Sequence, residues 1–361
     1  MRHEGEAAVQ RRSGVRREDW GSARARPEIP AVAGDFLRAQ RMIVVGAADA
    51  SGRVWASALT GPAGFARPDG ERTVVVGALP GRHDPLAALF GGEDDGDGGK
   101  GGDGGGRRTA APAGTGQDAG DRDGHEIGML AVEPETRRRM RVNGRARRDG
   151  DRLVVRTDQV YANCPKYIRS RKIVDGPPGI AAPGTASTTG TLTGGLREWI
   201  ERADTFFVAT RVEGLGADVS HRGGGPGFVR VVGDRRLVWP EYAGNLMYMT
   251  LGNLELDERC GLLFLDWETG DALHLTGRAR VGEDPAGVPG AERHVAFDVD
   301  EAVRIGGAVP LRWVSGEHSR HNPPVARFPR ATHRGLPQAP PGNGGSPAGA
   351  RRGRPGEPPL F

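Results

Sequence analysis

The sequence has few of the features that mark secreted or membrane proteins. Its 361 residues include only two cysteines, Cys164 and Cys260, which cannot form a disulfide framework. No apolar segment follows the charged N-terminal residues, so no secretory signal is expected. The longest apolar runs, such as residues 261–265, are far shorter than the ~20 residues that a membrane-spanning helix needs. We therefore expect a cytoplasmic protein that is not embedded in a membrane.

Signatures of several common ligand classes are also missing. The 50 Lys and Arg residues nearly balance the 46 Asp and Glu residues, and arginine is concentrated toward the chain ends, so nucleic-acid binding is not indicated. The sequence has no P-loop and no G-x-G-x-x-G motif between a strand and a helix. Its nine histidines and two cysteines show no metal-ligand spacing, so no structural metal is expected.

Glycine and proline are abundant and divide the chain. The 59 glycines and 27 prolines favour disorder in three segments that cannot offset the entropy of ordering: a basic tail over 1–30, a Gly/Asp-rich insertion over 91–124 and a Pro/Gly/Arg-rich tail over 329–361. A Pro/Gly/Thr-rich stretch over 175–195 is typical of a linker. It separates two predicted domains, 31–174 and 196–328.

The two predicted domains resemble each other. A shift of 163 residues places 35–65 on 198–228 without a gap, so that Val45 meets Val208 and Ser57 meets Ser220. A shift of 133 residues places 127–147 on 260–280, and both segments end in Gly-Arg-Ala-Arg. The shift decreases by about the length of the Gly/Asp-rich insertion, which therefore lies inside the first copy. The sequence predicts a tandem repeat of one unit.

Each unit has the pattern of a small β-barrel with short helices. In the second unit an amphipathic helix over 196–203 precedes a strand, TFFVAT, rich in aromatic and β-branched residues. Hairpins follow over 228–240 and 260–281, and a short helix is expected between them. The predicted fold class is therefore mainly β, with two barrels in tandem.

The segment 217–228 is the first candidate site. Its Gly-rich turn lets backbone amides and a guanidinium approach an anion closely. The alternative is a Gly-rich hairpin corner that binds no ligand. The candidate residues are Ser220, His221, Arg222, Gly223 and Gly224.

The segment 239–254 is the second candidate site. Asn245, Thr250 and Asn253 can cap a helix, or they can hydrogen-bond a phosphate at the positive end of its dipole. Tyr242 can stack on a planar ring, although aromatic residues in small barrels more often belong to the core.

Taken in order, ADVSHRGGGPGFVRV, GNLMYMTLGNL and GLLFLDWETGDALHLTGRARV resemble the pyridoxamine 5'-phosphate oxidase-like family of FMN-binding split barrels, in particular its cytoplasmic bacterial branch. The resemblance covers about 196–325 well and the first unit more loosely. It implies two tandem split barrels and FMN bound without a covalent bond where two barrels pack. It also implies that the nine candidate residues surround the phosphate or the edge of the flavin.

The first barrel departs from the pattern and is expected to be degenerate. It has WASALTGPAGF where the second barrel has DVSHRGGGPGF, so it lacks the His-Arg pair. The chain also lacks the R-x-V-L-L-K run of the true pyridoxamine phosphate oxidases, so synthesis of pyridoxal phosphate is not supported. Because the chain holds two copies, its first barrel could replace the second subunit of relatives in an intramolecular pseudo-dimer; a homodimer of whole chains is equally permitted.

The resemblance implies a flavin-dependent oxidoreductase that acts on a small substrate or electron donor. The alternatives are a flavin-binding or flavin-shuttling module without catalysis, a barrel that binds a deazaflavin, and a haem-binding barrel. Haem would need an axial ligand, for which His294, His318 and His321 are the candidates. Cys164 has no second cysteine at C-x-x-C spacing, so we expect its segment to pack between the barrels or to edge a ligand.

Overall fold

The computed structural model describes residues 3–16, 21–91, 124–174, 184, 186–285 and 287–323. These residues form antiparallel sheets with a few short helices, which confirms the mainly β prediction. No helix in these ranges is long and apolar enough to cross a membrane. The Gly/Asp-rich insertion, apart from its end residues 91 and 124, and the predicted tail over 329–361 lie outside the described residues.

The first half of the chain forms one seven-stranded sheet. Its strand order is β2-β1-β5-β6-β7-β4-β3, and β8 pairs elsewhere, with the last strand of the second half. The elements are α1 (Glu4–Arg12), a 3-10 turn (Gly21–Arg24), α2 (Ala31–Ala39), β1 (Met42–Ala48), β2 (Val54–Thr60), β3 (Ala66–Pro68), β4 (Thr73–Val76), α3 (Ala87–Phe90), β5 (His125–Glu133), β6 (Arg138–Asp149), β7 (Arg152–Asn163) and β8 (Arg171–Val174).

The second half forms an eight-stranded sheet. Seven of its strands follow the order β11-β10-β14-β15-β16-β13-β12, and the eighth strand, β9, pairs with β16. The elements are β9 (Ala186–Thr189), α4 (Gly195–Arg202), β10 (Thr205–Val212), β11 (Gly216–Gly223), β12 (Arg230–Val232), β13 (Arg236–Tyr242), α5 (Met249–Leu256), β14 (Arg259–Leu265), β15 (Ala272–Gly282), β16 (Ala291–Ile305) and β17 (Arg312–Ser315). Part of the predicted linker is therefore a strand.

The strand order and the register are the same in both sheets. Val45 pairs with Ser57 across β1 and β2, and Val208 pairs with Ser220 across β10 and β11. The long hairpins β6–β7 and β15–β16 each carry an irregularity just before a glycine, at Gly144 and Gly277. These are the positions that the sequence shifts of 163 and 133 residues bring together.

Three apolar clusters stabilise the structure. One lies mainly inside the first sheet, one inside the second, and a third lies where the two sheets pack. Glycines allow the close approach at this contact: a Cβ added to Gly128 would lie 2.7 Å from backbone atoms of Asp218, and one added to Gly46 would lie 2.6 Å from Val219. The strands at this contact are therefore packed almost backbone to backbone.

The N-terminal residues differ from the prediction of a disordered tail over 1–30. Residues 4–12 form α1, whose Val9 is fully buried in the second apolar cluster. The fully buried Glu6 accepts hydrogen bonds from the backbone N–H of Ser22, at 3.0 Å, and from its hydroxyl. Composition suggested a solvated segment because arginine and glutamate dominate it, but a few small and apolar residues are enough to dock it.

The packing between the sheets predicts a test with glycine variants. Gly128→Ala places a methyl group 2.7 Å from the Asp218 backbone and is expected to lower the free energy of unfolding by about 1–3 kcal/mol. Gly195→Ala, where a Cβ meets no atom within 4 Å, is the matched control and is expected to change it by less than about 0.5 kcal/mol. Urea unfolding measures both, and equal midpoints for the two variants would contradict the close contact.

Candidate functional site

A cleft with a free volume of about 100 Å³ lies between the two halves of the chain. The second half contributes the end of β11, the end of β13 and the segment that leads into α5. The first half contributes β6 through Arg139 and Arg141, and the end of β7 through Asn163 and Cys164, with Tyr167 just beyond. The cleft is thus built by both halves, although the sequence pointed mainly to the second.

Seven of the nine predicted residues line this cleft. They are Ser220, His221, Arg222, Gly223, Tyr242, Asn245 and Thr250. Gly224 does not line it, because its Cα faces the ring of Phe228, 2.5 Å from where a Cβ would lie. A Cβ on Gly223 would lie 2.0 Å from the carbonyl oxygen of Tyr167, so this glycine admits the backbone of the first half.

Asn253 is the other predicted residue outside the cleft. It lies within α5, where its side chain donates a 2.9 Å hydrogen bond to Thr210. It borders a separate cavity of about 770 Å³, which is lined by N-terminal residues, the β10–β11 turn and β6. Asn253 therefore does not cap α5, and the N-cap residue is Tyr248, without a side-chain capping bond.

Three guanidinium groups line the cleft, and their partners differ. Arg141 forms an ion pair with Asp218 at 3.2 Å, and Arg222 forms one with Glu241 at 2.6 Å. Arg139 donates instead to the carbonyl oxygen of Cys164 at 2.9 Å and to ring Nδ1 of His221 at 3.1 Å. No carboxylate of the described residues lies within ion-pair distance of Arg139. Its positive charge is therefore available to an anion.

The pKa values of these arginines follow from their surroundings. The pKa of Arg139 is lowered to about 10, mainly by burial; Cys164 raises it and the nearby Arg141 and Arg222 lower it, and the guanidinium stays protonated at neutral pH. Burial also lowers the pKa of Arg141, but the Asp218 carboxylate outweighs it, and the pKa is raised overall. The partly buried Arg139, which has no carboxylate partner among the described residues, and the buried Arg141 beside it favour an anionic ligand.

A buried network of polar groups fixes the base of the cleft. The Thr250 hydroxyl donates to Asp218 at 2.9 Å and lies 2.5 Å from the Ser220 hydroxyl. Arg141 donates to the Ser220 hydroxyl and, at 3.2 Å, to the Tyr161 hydroxyl. Side chains of β6, β7, β11 and α5 therefore hold one another in place, while the Nε of Arg141 has no hydrogen-bond partner in the described ranges.

His221 is neutral in this environment. Burial lowers the pKa of His221 well below its ordinary value, and the charges of Arg139, Arg171 and Arg222 lower it further. Because a guanidinium can only donate, Nδ1 accepts from Arg139 and the ring proton lies on Nε2. This Nε2 is buried and has no hydrogen-bond partner among the residues that the structure describes. It can donate to a ligand.

Aromatic side chains and a strained segment form the outer wall. The rings of Tyr167 and Tyr242 lie 5.3 Å apart, and burial raises the pKa of Tyr242 to about 12, with a smaller contribution from Tyr167. Leu246 and Tyr248 have left-handed backbone angles, with φ of 62° and 55°, which are unfavourable for residues other than glycine. The segment 243–248 is held in this conformation by its contacts.

The equivalent position on the other side of the molecule has different chemistry. The pairs Arg139–Asn163 and Arg141–Tyr161 on β6 and β7 correspond to Ala272–Ile305 and His274–Val303 on β15 and β16. His221 and Arg222 correspond to Ala58 and Leu59. The space there is only about 50 Å³. Three arginines therefore occur together at one of two equivalent positions.

The residues of the first half were the main omission of the sequence analysis. Arg139 and Arg141 lie two residues apart in a strand, so they share one face, and this alternation was a usable signal in the RRRMR run. Asn163, Cys164 and Tyr167 do lie between the halves. The candidate axial ligands for haem, His294, His318 and His321, do not line the cleft.

No family model matches the sequence, and no curated protein matches it. Several solved structures are similar to part of the chain. They include HupZ from Group A Streptococcus (17% identity, 30% of this chain and 87% of that chain, TM-score 0.24). A protein of the pyridoxinephosphate oxidase family from Clostridium acetobutylicum aligns at 13% identity over 33% of this chain and 89% of that chain, with a TM-score of 0.24. The FAD binding protein from Mycobacterium smegmatis aligns at 13% identity over 34% and 98%, with a TM-score of 0.22.

The neutral state of His221 predicts a pH dependence of stability. The pKa of His221 is lowered in the folded state, so between that pKa and about 6.5 the unfolded chain binds one more proton, and stability falls as the pH falls. We expect His221→Gln to reduce this slope by up to about 1.4 kcal/mol per pH unit. Urea unfolding at several pH values between about 5 and 7.5 measures it, and parallel slopes for the two proteins would show that folding does not lower the pKa of His221.

Proposed function

We propose that the cleft binds the phosphate of FMN and that the protein is a flavin-dependent oxidoreductase. The observation that carries the proposal is the partly buried Arg139 guanidinium, which has no carboxylate partner among the described residues and lies beside the neutral His221. A buried cation without a counter-ion is unfavourable, so a site that keeps one is suited to an anionic ligand.

The donors around the cleft fit a phosphate group. Arg139 and the Nε atom of Arg141 supply charged donors, and His221 Nε2 supplies a neutral one. Within the described part of the chain, Arg141 Nε and His221 Nε2 have no hydrogen-bond partner. Arg222 is less available because Glu241 accepts its Nε–H at 2.6 Å. Tyr167 and Tyr242 offer aromatic faces at the outer wall.

The free space fits the phosphate better than the ring. About 100 Å³ is well below the ~300–1,000 Å³ typical of pockets for cofactors and other small molecules. Entry of a flavin ring therefore requires the segment 243–248 to move away from Tyr167 and Asn163. When bound, a flavin supplies the redox chemistry, while the protein binds and orients it. The neutral imidazole of His221 lies next to Arg139 and can donate a hydrogen bond to the bound flavin.

One chain contributes both sides of the cleft, and we infer that it acts as an intramolecular pseudo-dimer with one site. The equivalent position has alanine, leucine and isoleucine where the cleft has His221, Arg222 and Asn163. We expect one FMN per chain, with an affinity that does not change on dilution.

Titration with FMN and with riboflavin, which lacks the phosphate, tests the proposal. Arg139→Met keeps most of the side-chain volume and removes the charge. We expect it to weaken FMN binding at least about tenfold, the loss expected for a charge-assisted hydrogen bond, and to leave riboflavin binding nearly unchanged. Quenching of flavin fluorescence measures both affinities.

Arg138→Met is the matched control. Arg138 precedes Arg139 on β6, pairs with Glu133 at 3.0 Å and is mostly exposed. Its removal is expected to change FMN affinity less than twofold. Failure of the native chain to bind FMN would disprove the flavin proposal, and equal losses in the two variants would show that the phosphate does not bind at Arg139.

A further inference from the structure

The N-terminal helix α1 packs directly on α5, the helix that follows the wall of the cleft. A Cβ on Gly5 would lie 2.1 Å from the carbonyl oxygen of Gly252, and one on Gly252 would lie 2.4 Å from the backbone nitrogen of Glu6. The two backbones are thus in contact. Because glycine has no side chain, its presence at both positions allows α1 and α5 to approach each other this closely.

Gln10 connects α1 to the cleft wall. Its amide nitrogen donates to the carbonyl oxygens of Leu246 at 3.3 Å and Met247 at 3.2 Å, and to the Glu6 carboxylate at 3.1 Å. Gln10 is fully buried. Leu246 and Met247 line the cleft, so one side chain outside the cleft holds two residues of its wall.

The other side of the same segment is held by the first half of the chain. The Tyr167 hydroxyl donates to the carbonyl oxygen of Ala243 at 2.8 Å, and the Asn163 amide lies 3.6 Å from the Met247 sulfur. These contacts span the cleft, so a ligand that enters must break them. The contacts of Gln10 hold the same segment from the far side, so movement of Leu246 and Met247 away from the cleft must also loosen them.

We propose that α1 acts as a clasp, which means that it holds the cleft wall 243–248 in place from outside the cleft. Gln10 is then a positioning residue that sets how readily 243–248 opens. The left-handed backbone at Leu246 and Tyr248 stores strain that opposes this conformation. Gln10 offsets the strain from outside the cleft. The identification of FMN as the entering ligand rests on the proposed function. The clasp itself does not rest on it.

Cys164 reports opening without any flavin. It lines the cleft and is half-buried, whereas the other cysteine of the sequence, Cys260, is fully buried. We expect Gln10→Glu, which has the same shape but no donor, to raise the rate at which Cys164 reacts with an aromatic disulfide reagent about tenfold. Arg11→Ala, an exposed position on the same helix, is the control and should stay within twofold of the native rate.

Two further measurements keep the proposal testable. If Gln10→Glu does not fold, Arg12→Ala removes the exposed contacts of α1 with Glu255 and Glu283 and should raise the Cys164 rate about threefold, which is above the range of the Arg11→Ala control. An unchanged rate in whichever variant folds would overturn the clasp. If the native chain binds FMN, its dissociation should accelerate by the same factor as Cys164 labelling. If it does not, the proposed function fails while the labelling rates still decide the clasp.

Discussion

The close contact between the two sheets is the constraint on which the cleft depends. Gly46 and Gly128 leave no room for a side chain, because an added Cβ would lie under 3 Å from the opposite half. This contact brings β6 of the first sheet beside β11 of the second, so Arg141 reaches Asp218 and Arg139 reaches His221. A small increase in the separation would remove both interactions, since hydrogen bonds and ion pairs weaken steeply with distance.

The three arginines of the cleft differ in whether a carboxylate partner neutralises them. Arg141 and Arg222 have carboxylate partners, and the buried pair with Asp218 anchors the two halves, whereas Arg139 has only neutral partners among the described residues. Burial, and after it the positive charges of the neighbouring arginines, lower the pKa of His221 and keep its ring neutral. The equivalent position on β15 and β16 has Ala272 and His274 instead of the two arginines. Of two corresponding positions in the described sheets, one therefore carries this group of arginines, which supports the proposal that it binds an anionic ligand.

In the proposed opening, access to the cleft depends on the segment 243–248, whose backbone conformation is unfavourable for its residue types. Leu246 and Tyr248 are left-handed without being glycine, and their conformation is maintained by Gln10 on one side and by Tyr167 and Asn163 on the other. Segments with strained backbone and few apolar contacts open at lower free energy than the surrounding sheets. The proposed binding and the proposed opening therefore involve the same residues.

The sequence by itself determined the mainly β class, the internal correspondence of the halves and most of the second half of the cleft, because alternation, turns and the Gly-rich segment at 217–228 are local signals. It also pointed to the segment around Cys164. The roles of Arg139, Arg141 and α1 were decided only by the tertiary structure. Arg139 and Arg141 look like ordinary solvated strand residues until β11 packs against them, and α1 looks like a charged tail until Gly5 meets Gly252. Asn253 shows the converse, since a residue typical of a cap or a phosphate ligand bonds Thr210 inside the fold. Partners far apart in the chain set these roles, and no local pattern encodes such distances.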